Sequence, residues 1–468
     1  MKNKLLLTKL SMTIGLLLAG TSVFADDTRF ADFTPLSTSA SPTLDEAQPI
    51  TFGNPDFIQK SIADRKTQLA DGKPNANLNL TDSAAWDMNT VNETGRKKGQ
   101  FLFTVFEQGL GGVQRHDLKT GETDTIWQSQ TNHESFDPSF WTPWGTFITG
   151  EESWGAGSNN GRLFELKNPT TAPAITNPLS ATSNDGADFV HQNVIPRTSH
   201  EGIQFDKDGN MYFIDELNGG NVYKYTPAAK MSKVKNGKAD YFAAGTTSVL
   251  RVGDGNTPNA TGAYSWVPFT DANGNGLTGA VTITDVDGVF SVDARLTANL
   301  AAFKGTDYQR PEDLQIQTVK AKEYLYIATT TTNEVYRLDL KKQTISVFAN
   351  QSTIDLGTGI AVGTSLRSPD NLAVDHDGNI YIVEDRNGGV DNDIWFAKDL
   401  NKDGDLTDIG EGIGRWASNG TPGSEFTGLY FDPFNKSRAW VNIQHPNSGN
   451  DRTIEIKIAG SHDDDEAE

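Results

Sequence analysis

Three carboxylates stand at matching places in repeated local sequence. Glu201 lies in SHEGIQFDKDGNMYFIDE (199–216), Glu312 in RPEDLQI (310–316) and Asp370 in SPDNLAVDHDGNIYIVED (368–385), spaced 111 and 58 residues apart. Each precedes a short apolar run, and the two longer stretches end in a second pair of acids, Asp215 with Glu216 and Glu384 with Asp385. Carboxylates gathered at one point repel one another and resist ionisation unless cations lie between them. A fold that brings the three together therefore predicts a metal site of hard oxygen ligands, the chemistry calcium prefers. The plainer alternative for any one of them is a loop cap that accepts backbone N–H bonds.

From Gly99 onward the chain consists of short β-rich runs such as FLFTVFEQ, GTFITGEES and NVYKYT, punctuated by Asn-Gly, Asp-Gly and Gly-Gly. Period-two alternation with those dipeptides is the mark of antiparallel hairpins. Leu314 of RPEDLQI, Leu372 of SPDNLAV and Leu429 of FTGLYF follow one another at intervals of 58 and 57 residues. Ile203 lies close to two such periods before Leu314, leaving room for a less regular unit near 250–300, and one period earlier falls on Thr146. Repeats of this length, each holding several strands, predict an all-β fold, a β-propeller of about six blades. In a propeller the first strand of each blade borders the central channel, so Glu201, Glu312 and Asp370 would meet at one mouth.

The chain has 468 residues, 36% hydrophobic and 22% charged, enough for a large core. Residues 1–25 carry Lys2, Lys4 and Lys9 ahead of an apolar run ending in Val23 and Ala25, which reads as a Sec-type signal peptide cut near Ala25. Export to the periplasm or the medium follows, with no membrane span. Loss of this segment takes the formal charge from −21 to −24, which argues against nucleic acid or anionic membrane as a partner. With no cysteine there is neither a disulfide nor a thiolate metal site. The expected organisation is a signal peptide (1–25), a polar N-terminal arm or cap (26–98), the propeller (99–460) and an acidic tail (461–468), acting as a monomer.

Taken together, TPWGTFITGEES, SHEGIQFDKDGNMYFIDE with VYKY, YQRPEDL, SPDNLAVDHDGNIYIVED and EFTGLYF with AWVNIQHP resemble, in this order, the motifs of the PhoX alkaline phosphatases, over roughly residues 136–447. The resemblance implies an exported six-bladed propeller that hydrolyses phosphate monoesters, small-molecule substrates, with calcium ions and a pair of irons. It makes Glu201, Glu312 and Asp370 metal ligands and Arg310 a phosphate contact, and it sets Glu151 or Glu152 near the calcium ions. Asp215 and Glu216 stand where the family has a pair of aspartates. Two features depart from that pattern. Gly150 takes the place of the cysteine that ligates iron, and the signal peptide contains no arginine, whereas the family is typically exported through a twin-arginine signal. Both point to calcium rather than preloaded iron, and they leave open a site that has lost its chemistry.

Other candidates are weaker. DLNKDGDLTD (399–408) offers Asp399, Asn401, Asp403 and Asp405 with Gly404 at the turn, the front half of an EF-hand-type calcium loop. The closing Glu is missing, since Gly410 holds its place and Glu411 comes one residue late, so an ordinary polar loop is the alternative. Asp206, Asp208, Asp375 and Asp377, in DKDGN and DHDGN, read as turn residues. TDSAAW (81–86) is similar to the nucleophile region of the unrelated classical alkaline phosphatases, a serine after an aspartate, but so short a match arises often by chance. His200 could support Glu201 or be a plain loop histidine. Three functions remain: a phosphate monoesterase, a calcium-dependent esterase or lactonase, and an inactive calcium-binding propeller.

Overall fold

β-Branched and aromatic runs separated by glycine-containing turns build six antiparallel blades in the computed structural model, blades 3 and 4 being joined into one nine-stranded sheet through Gly262–Pro268; the structure describes residues 28–70, 84–129, 134–174, 188–285, 288–386 and 390–460. Blade 1 comprises Trp86–Val91, Phe101–Phe106, Gly112–Asp117 and Thr123–Gln128, and blade 2 Phe140–Trp141, Phe147–Gly150, Leu163–Leu166 and Phe189–His191. Blade 3 comprises Ile203–Phe205, Met211–Ile214, Val222–Pro227 and Gly245–Val252, and blade 4 Pro311–Val319, Lys322–Thr329, Glu334–Asp339 and Thr344–Ala349. Blade 5 contains Pro369–Val374, Ile380–Glu384, Asn392–Lys398 and Gly412–Asn419. Blade 6 contains Glu425–Phe431, Arg438–Gln444 and Arg452–Ile458.

First strands lie beside first strands around a ring: blade 1 against 2, 3 against 4, 4 against 5, 5 against 6, and 6 back against 1. Blades 2 and 3 meet through Ile148, Leu163, Ile203 and Phe213. The core is segmented in the same way. Apolar clusters fill each seam between neighbouring blades, for example Tyr326, Leu372, Ile382 and Trp395 between blades 4 and 5, Tyr381, Trp416, Phe426 and Ile454 between 5 and 6, and two small ones between 6 and 1. Each fully buried side chain of this size contributes about 1.5–3 kcal/mol. The architecture is a six-bladed β-propeller.

The N-terminal segment is less of an arm than its polar composition suggests. Phe57–Asp64 pairs with Arg452–Ile458 and supplies the outer strand of blade 6, tying the start of the chain to its end. Ile50–Phe52 adds a fifth strand to blade 5, and Trp86–Val91 is the first strand of blade 1. The less regular unit near 250–300 is not a blade either. There, Gly262–Pro268 extends blade 3 and touches the edge of blade 4, followed by the hairpin of Thr282–Thr284 with Phe290–Val292. The remaining blade is blade 1, at residues 86–128, where the sequence shows no repeat. Thr146 is in the turn before Phe147–Gly150, so the extrapolated period misses the first strand of blade 2 by about one turn.

The DGN turns behave as their sequence suggests. Asp206 accepts the backbone and side-chain N–H groups of Asn210 at 2.8 and 2.7 Å and the Tyr212 hydroxyl at 3.0 Å. Asp375 repeats the arrangement with Asn379 and Tyr381. The signal-peptide reading of 1–25, Ser83 of TDSAAW and the tail at 461–468 lie outside the described residues. No described helix is long and apolar enough to cross a membrane.

Candidate metal and phosphate site

Because strands 1 and 2 of a blade are antiparallel, the beginning of the first and the end of the second face the same mouth of the channel. Each sequence therefore has two chances per blade to place an acid there. The first chance gives Asp87, Asp137, Glu201, Glu312 and Asp370, with Thr427 in blade 6; the second gives Glu107, Glu152, Glu216 and Asp385, with Thr330 and Gln444 in blades 4 and 6. In blades 1, 4 and 5 the first strand carries a register shift, between Trp86 and Asn89, Pro311 and Leu314, and Pro369 and Leu372. The acid sits inside each shift. A bulge re-aims the side chain it contains, which is how Asp87, Glu312 and Asp370 come to face the axis.

A cavity of about 250 Å³ opens at this mouth, lined by Asp87, Glu107, Asp137, Glu152, Trp154, Glu201, Glu216, Arg310, Asp370, Asp385 and Thr427. Two acid triplets each offer ligand atoms within 4.8 Å of one another: Asp87, Glu107 and Asp137, and Glu201, Glu216 and Glu312. One oxygen of each of Asp87, Asp137, Glu201 and Glu312 is buried with no hydrogen-bond donor among the described residues. Buried polar atoms nearly always find a partner, so four orphans at one place fit a site built for cations. Their electrostatics agree. Burial, and then the neighbouring acids, push Asp87, Glu107, Asp137, Glu201, Glu216 and Asp370 well above the usual carboxylate range. Burial takes Glu312 up to about 8 even though Arg310 and Thr330 oppose it.

Arg310 is the one cation lining the cavity among the described residues. Its φ of 53° is left-handed, directly before Pro311, and Ser368 before Pro369 shares that conformation with a φ of 46°. Such backbone is disfavoured for a residue that precedes proline, and it is held here by the Asn218–Gly220 pairing with Tyr308–Gln309. The guanidinium donates to Glu216 and approaches Glu312 at 3.1 Å. Burial alone would lower its pKa, but the charges of Glu312, Glu216 and Asp370 outweigh burial and raise it. Trp154 lies over it at 5.0 Å, an attractive cation–π contact. The Trp154 indole N–H donates to Glu152 at 2.6 Å and Glu216 at 2.8 Å.

Glu201, Glu312, Asp370, Glu152, Glu216 and Arg310 thus come together from four different motifs. Two candidates do not. Glu151 turns away from the cavity and accepts three N–H groups of Arg162, at 2.7–3.0 Å, in a buried ion pair. Neighbours along a strand point to opposite faces, so Glu151 and Glu152 could not both reach the axis. The same parity separates Asp215 from Glu216. Asp215 accepts the Ser199 backbone N–H at 3.0 Å, supports the turn that carries Glu201, and is raised to about 7 by burial. Asp87, Glu107, Asp137 and Asp385 are the acids missed. FLFTVFEQ has the apolar-run-then-acid pattern of NMYFIDE and IYIVED, so Glu107 and Asp385 were legible in principle; Asp87 and Asp137 had no repeat around them.

Gly150 is explained by His200. A Cβ on Gly150 would stand 2.7 Å from the Cβ and Cγ of His200, and the imidazole is buried, packed against Phe213 at 5.7 Å and pushed down to about 3, first by burial. The space beside Gly150 is filled by a neutral ring. A thiolate-bound iron therefore does not fit this chain, whereas oxygen-ligated cations fit the two acid triplets.

A family model described as alkaline phosphatase PhoX matches residues 141–447. No curated protein sequence matches the chain. Solved structures with a related arrangement include virginiamycin B lyase from Staphylococcus aureus, at 12% identity over 86% of this chain and 99% of that one with a TM-score of 0.39. Regucalcin from Agrobacterium tumefaciens, described as a calcium-binding protein, has 10% identity over 81% and 93% with a TM-score of 0.40. At such identities and scores these two likenesses carry no argument about chemistry.

Proposed function

The chain belongs to the PhoX alkaline phosphatase family, a family of phosphoric monoester hydrolases, and from that premise we propose that it hydrolyses small phosphate monoesters outside the cytoplasm, with calcium ions held at the acidic mouth of the propeller axis. The observation that carries the metal reading is the set of four orphaned carboxylate oxygens. Glu201, Glu216 and Glu312 would hold one cation group, Asp87, Glu107 and Asp137 another, with Asp370 between them. When bound, such cations polarise phosphoryl oxygens and lower the pKa of water toward neutrality. Many carboxylate oxygens with no nitrogen or sulfur suit calcium.

The protein's own groups do the positioning. Arg310 presents a planar fork of donors to the phosphoryl oxygens, and its side chain is about a quarter exposed, at 27%, so a substrate can reach it. Its pairing with Glu216 and Glu312 fixes the plane of that fork before substrate arrives. A cavity of about 250 Å³ accommodates a phosphoryl group rather than a whole bulky ester. The leaving group would therefore project past Trp154, whose side chain is partly exposed at the rim.

Turnover of p-nitrophenyl phosphate by the chelated protein, with calcium, iron or both restored, tests this reading. Recovery with calcium alone is expected. Recovery only with iron would overturn the metal assignment. A second reading, a calcium-holding propeller without turnover, is favoured by Gly150 and the ring that fills its place; a calcium-loaded, stable and inactive protein would establish it. Hydrolysis of lactones or carboxylic esters in place of phosphate esters would point to the esterase alternative.

A further inference from the structure

Among the described residues only the two axial acid triplets bring ligand atoms within 4.8 Å of one another. The hairpin of Asp399, Asn401, Asp403 and Asp405 is therefore the ordinary polar loop, with Asp399 accepting the N–H of Gly404 at 2.9 Å. At the rim of the acidic mouth, by contrast, a large apolar side chain is held where its own segment would let it move. Trp154 is 45% exposed and belongs to SWGAGSNNG (153–161), in the connection between the second and third strands of blade 2. Three glycines in nine residues give such a segment wide backbone freedom.

The chain inserted between blades 3 and 4 removes that freedom. Arg295, in the short helix Ala294–Thr297, has a fully buried side chain and donates to the Ser153 carbonyl at 2.8 Å and the Asn160 carbonyl at 3.1 Å, one near each end of the connection. Asp293 accepts the Gly157 N–H at 2.9 Å in the middle, and it aligns the guanidinium by taking two of its N–H bonds at 3.0 and 2.8 Å. Gly161 permits this close approach, since a Cβ there would stand 2.9 Å from the Arg295 guanidinium. The clamp is itself fixed, because Ala294 donates its N–H to the Arg197 carbonyl and Arg197 donates to that of Val292. Trp154 is in neither apolar cluster beside blade 2, so holding it does not serve the core.

What the clamp does serve is the place beside Arg310. The guanidinium lies 5.0 Å from the centre of the Trp154 ring, and the indole N–H, donating to Glu152 and Glu216, fixes how the ring is turned. Glu216 and Glu312 engage Nη2 and Nε of Arg310 and leave Nη1 without a partner among the described residues. A phosphate taken by Nη1 therefore carries its ester substituent alongside a fixed, flat, apolar surface. We propose that Trp154 selects the leaving group, favouring aryl over alkyl phosphate monoesters, and that Arg295 and Asp293 are positioning residues that hold it in place. An aromatic ring on an indole gains both buried apolar area and a stacking or edge contact, which a small alkyl group cannot match. This inference rests on the phosphatase reading.

Calorimetric titration of the calcium-loaded full-length protein with phenylphosphonate and methylphosphonate, whose C–P bonds stay intact, tests it without turnover. The wild type should bind phenylphosphonate ~10-fold tighter than methylphosphonate. Trp154→Ala should bring that ratio close to unity, and Trp154→Phe should restore part of it. Arg295→Lys keeps the charge opposite Asp293 but lacks the fork that spans Ser153 and Asn160, so the ratio should fall by ~3-fold or more. The ratio of two affinities is insensitive to a general loss of stability. Should Arg295→Lys fail to fold, Asp293→Asn replaces it with the same expectation. An unchanged ratio in Trp154→Ala would overturn the role of Trp154, and an unchanged ratio in the folded clamp variant would overturn that of Arg295 and Asp293. Equal binding of both phosphonates by the wild type would overturn this inference alone, whereas binding of neither would overturn the phosphatase reading and this inference with it.

Discussion

At the acidic mouth, Asp87, Asp137, Glu201 and Glu312 each keep one buried oxygen without a donor. One residue along the same strand of blade 4, Asp313 is equally buried, yet it accepts the N–H of Leu314 at 2.6 Å with one oxygen and that of Leu372 at 2.9 Å with the other. It borders a larger cavity, about 450 Å³, further along the channel, where Asp375 is satisfied by Asn379 and Tyr381, and Glu93 accepts the Tyr430 hydroxyl at 2.8 Å. Acids therefore line both parts of the channel, and the larger cavity is the one whose acids are spoken for. Satisfaction of the oxygens, rather than cavity size or acid content, separates a place built for cations from one that staples neighbouring blades together.

The sharpest way to break this contrast is to neutralise one acid from each side. Glu201→Gln or Glu312→Gln should lower turnover by about 100-fold or more through lost metal, as expected when a ligand is removed, while thermal unfolding of the chelated proteins changes little or rises. Asp313→Asn should do the reverse, costing about 1–3 kcal/mol of stability through an unmatched amide with turnover retained. Equal losses of activity in all three would erase the distinction. Next in size is Gly150→Cys. Its Cβ has no room beside His200, whose backbone is fixed by an N–H bond to the Glu151 carbonyl at 3.0 Å, so overpacking should cost about 1–3 kcal/mol. Urea unfolding of Gly150→Cys against the Gly150→Cys, His200→Ala double variant measures this; full additivity would mean the two positions do not share one space. Arg310→Ala should follow, with turnover down ~tenfold or more and folding intact, the loss of one charge-assisted contact. Unchanged steady-state kinetics would remove Arg310 from the phosphate site.

Most of the propeller was legible because its repeat is carried by residues that do the same job in each blade: Leu314 and Leu372 fill the inter-blade core just after a bulged acid. Blade 1 escaped because its two ends differ from the rest. Its bulge holds Trp86 and Asp87 without the Pro-acid signature, and it follows a strand that crosses to blade 6. The site was legible to the extent that it reused the repeat, which gave Glu201, Glu312 and Asp370. Side-chain parity was the missing physical step for Glu151 and Asp215. Both lie one residue before an acid that faces the axis, and alternation alone assigns one of each pair to the interior. The pairing of Gly150 with His200 was not legible, since residues fifty apart announce no contact until the blades are packed.

The smallest expected effect is a difference in pH slope, and it separates the two parts of the channel without touching activity. In the metal-free protein Glu312 titrates at about 8 and Asp313 at about 7, both raised first by burial. Unfolded, each returns to the ordinary carboxylate value, so between that value and the folded one the native state holds more protons than the unfolded chain, and stability falls as pH rises. The contribution is complete below the unfolded value and is lost as pH passes through the folded one. Calcium at the mouth replaces the proton on Glu312 but cannot replace the one on Asp313, whose oxygens are already taken by Leu314 and Leu372. Thermal unfolding between about pH 5 and about pH 8 should then show a steep decline for the chelated protein and a shallower one with calcium. Asp313→Asn should flatten the calcium-loaded profile and leave the difference between the two profiles unchanged. Superimposable profiles with and without calcium would mean that no cation meets the orphaned oxygens.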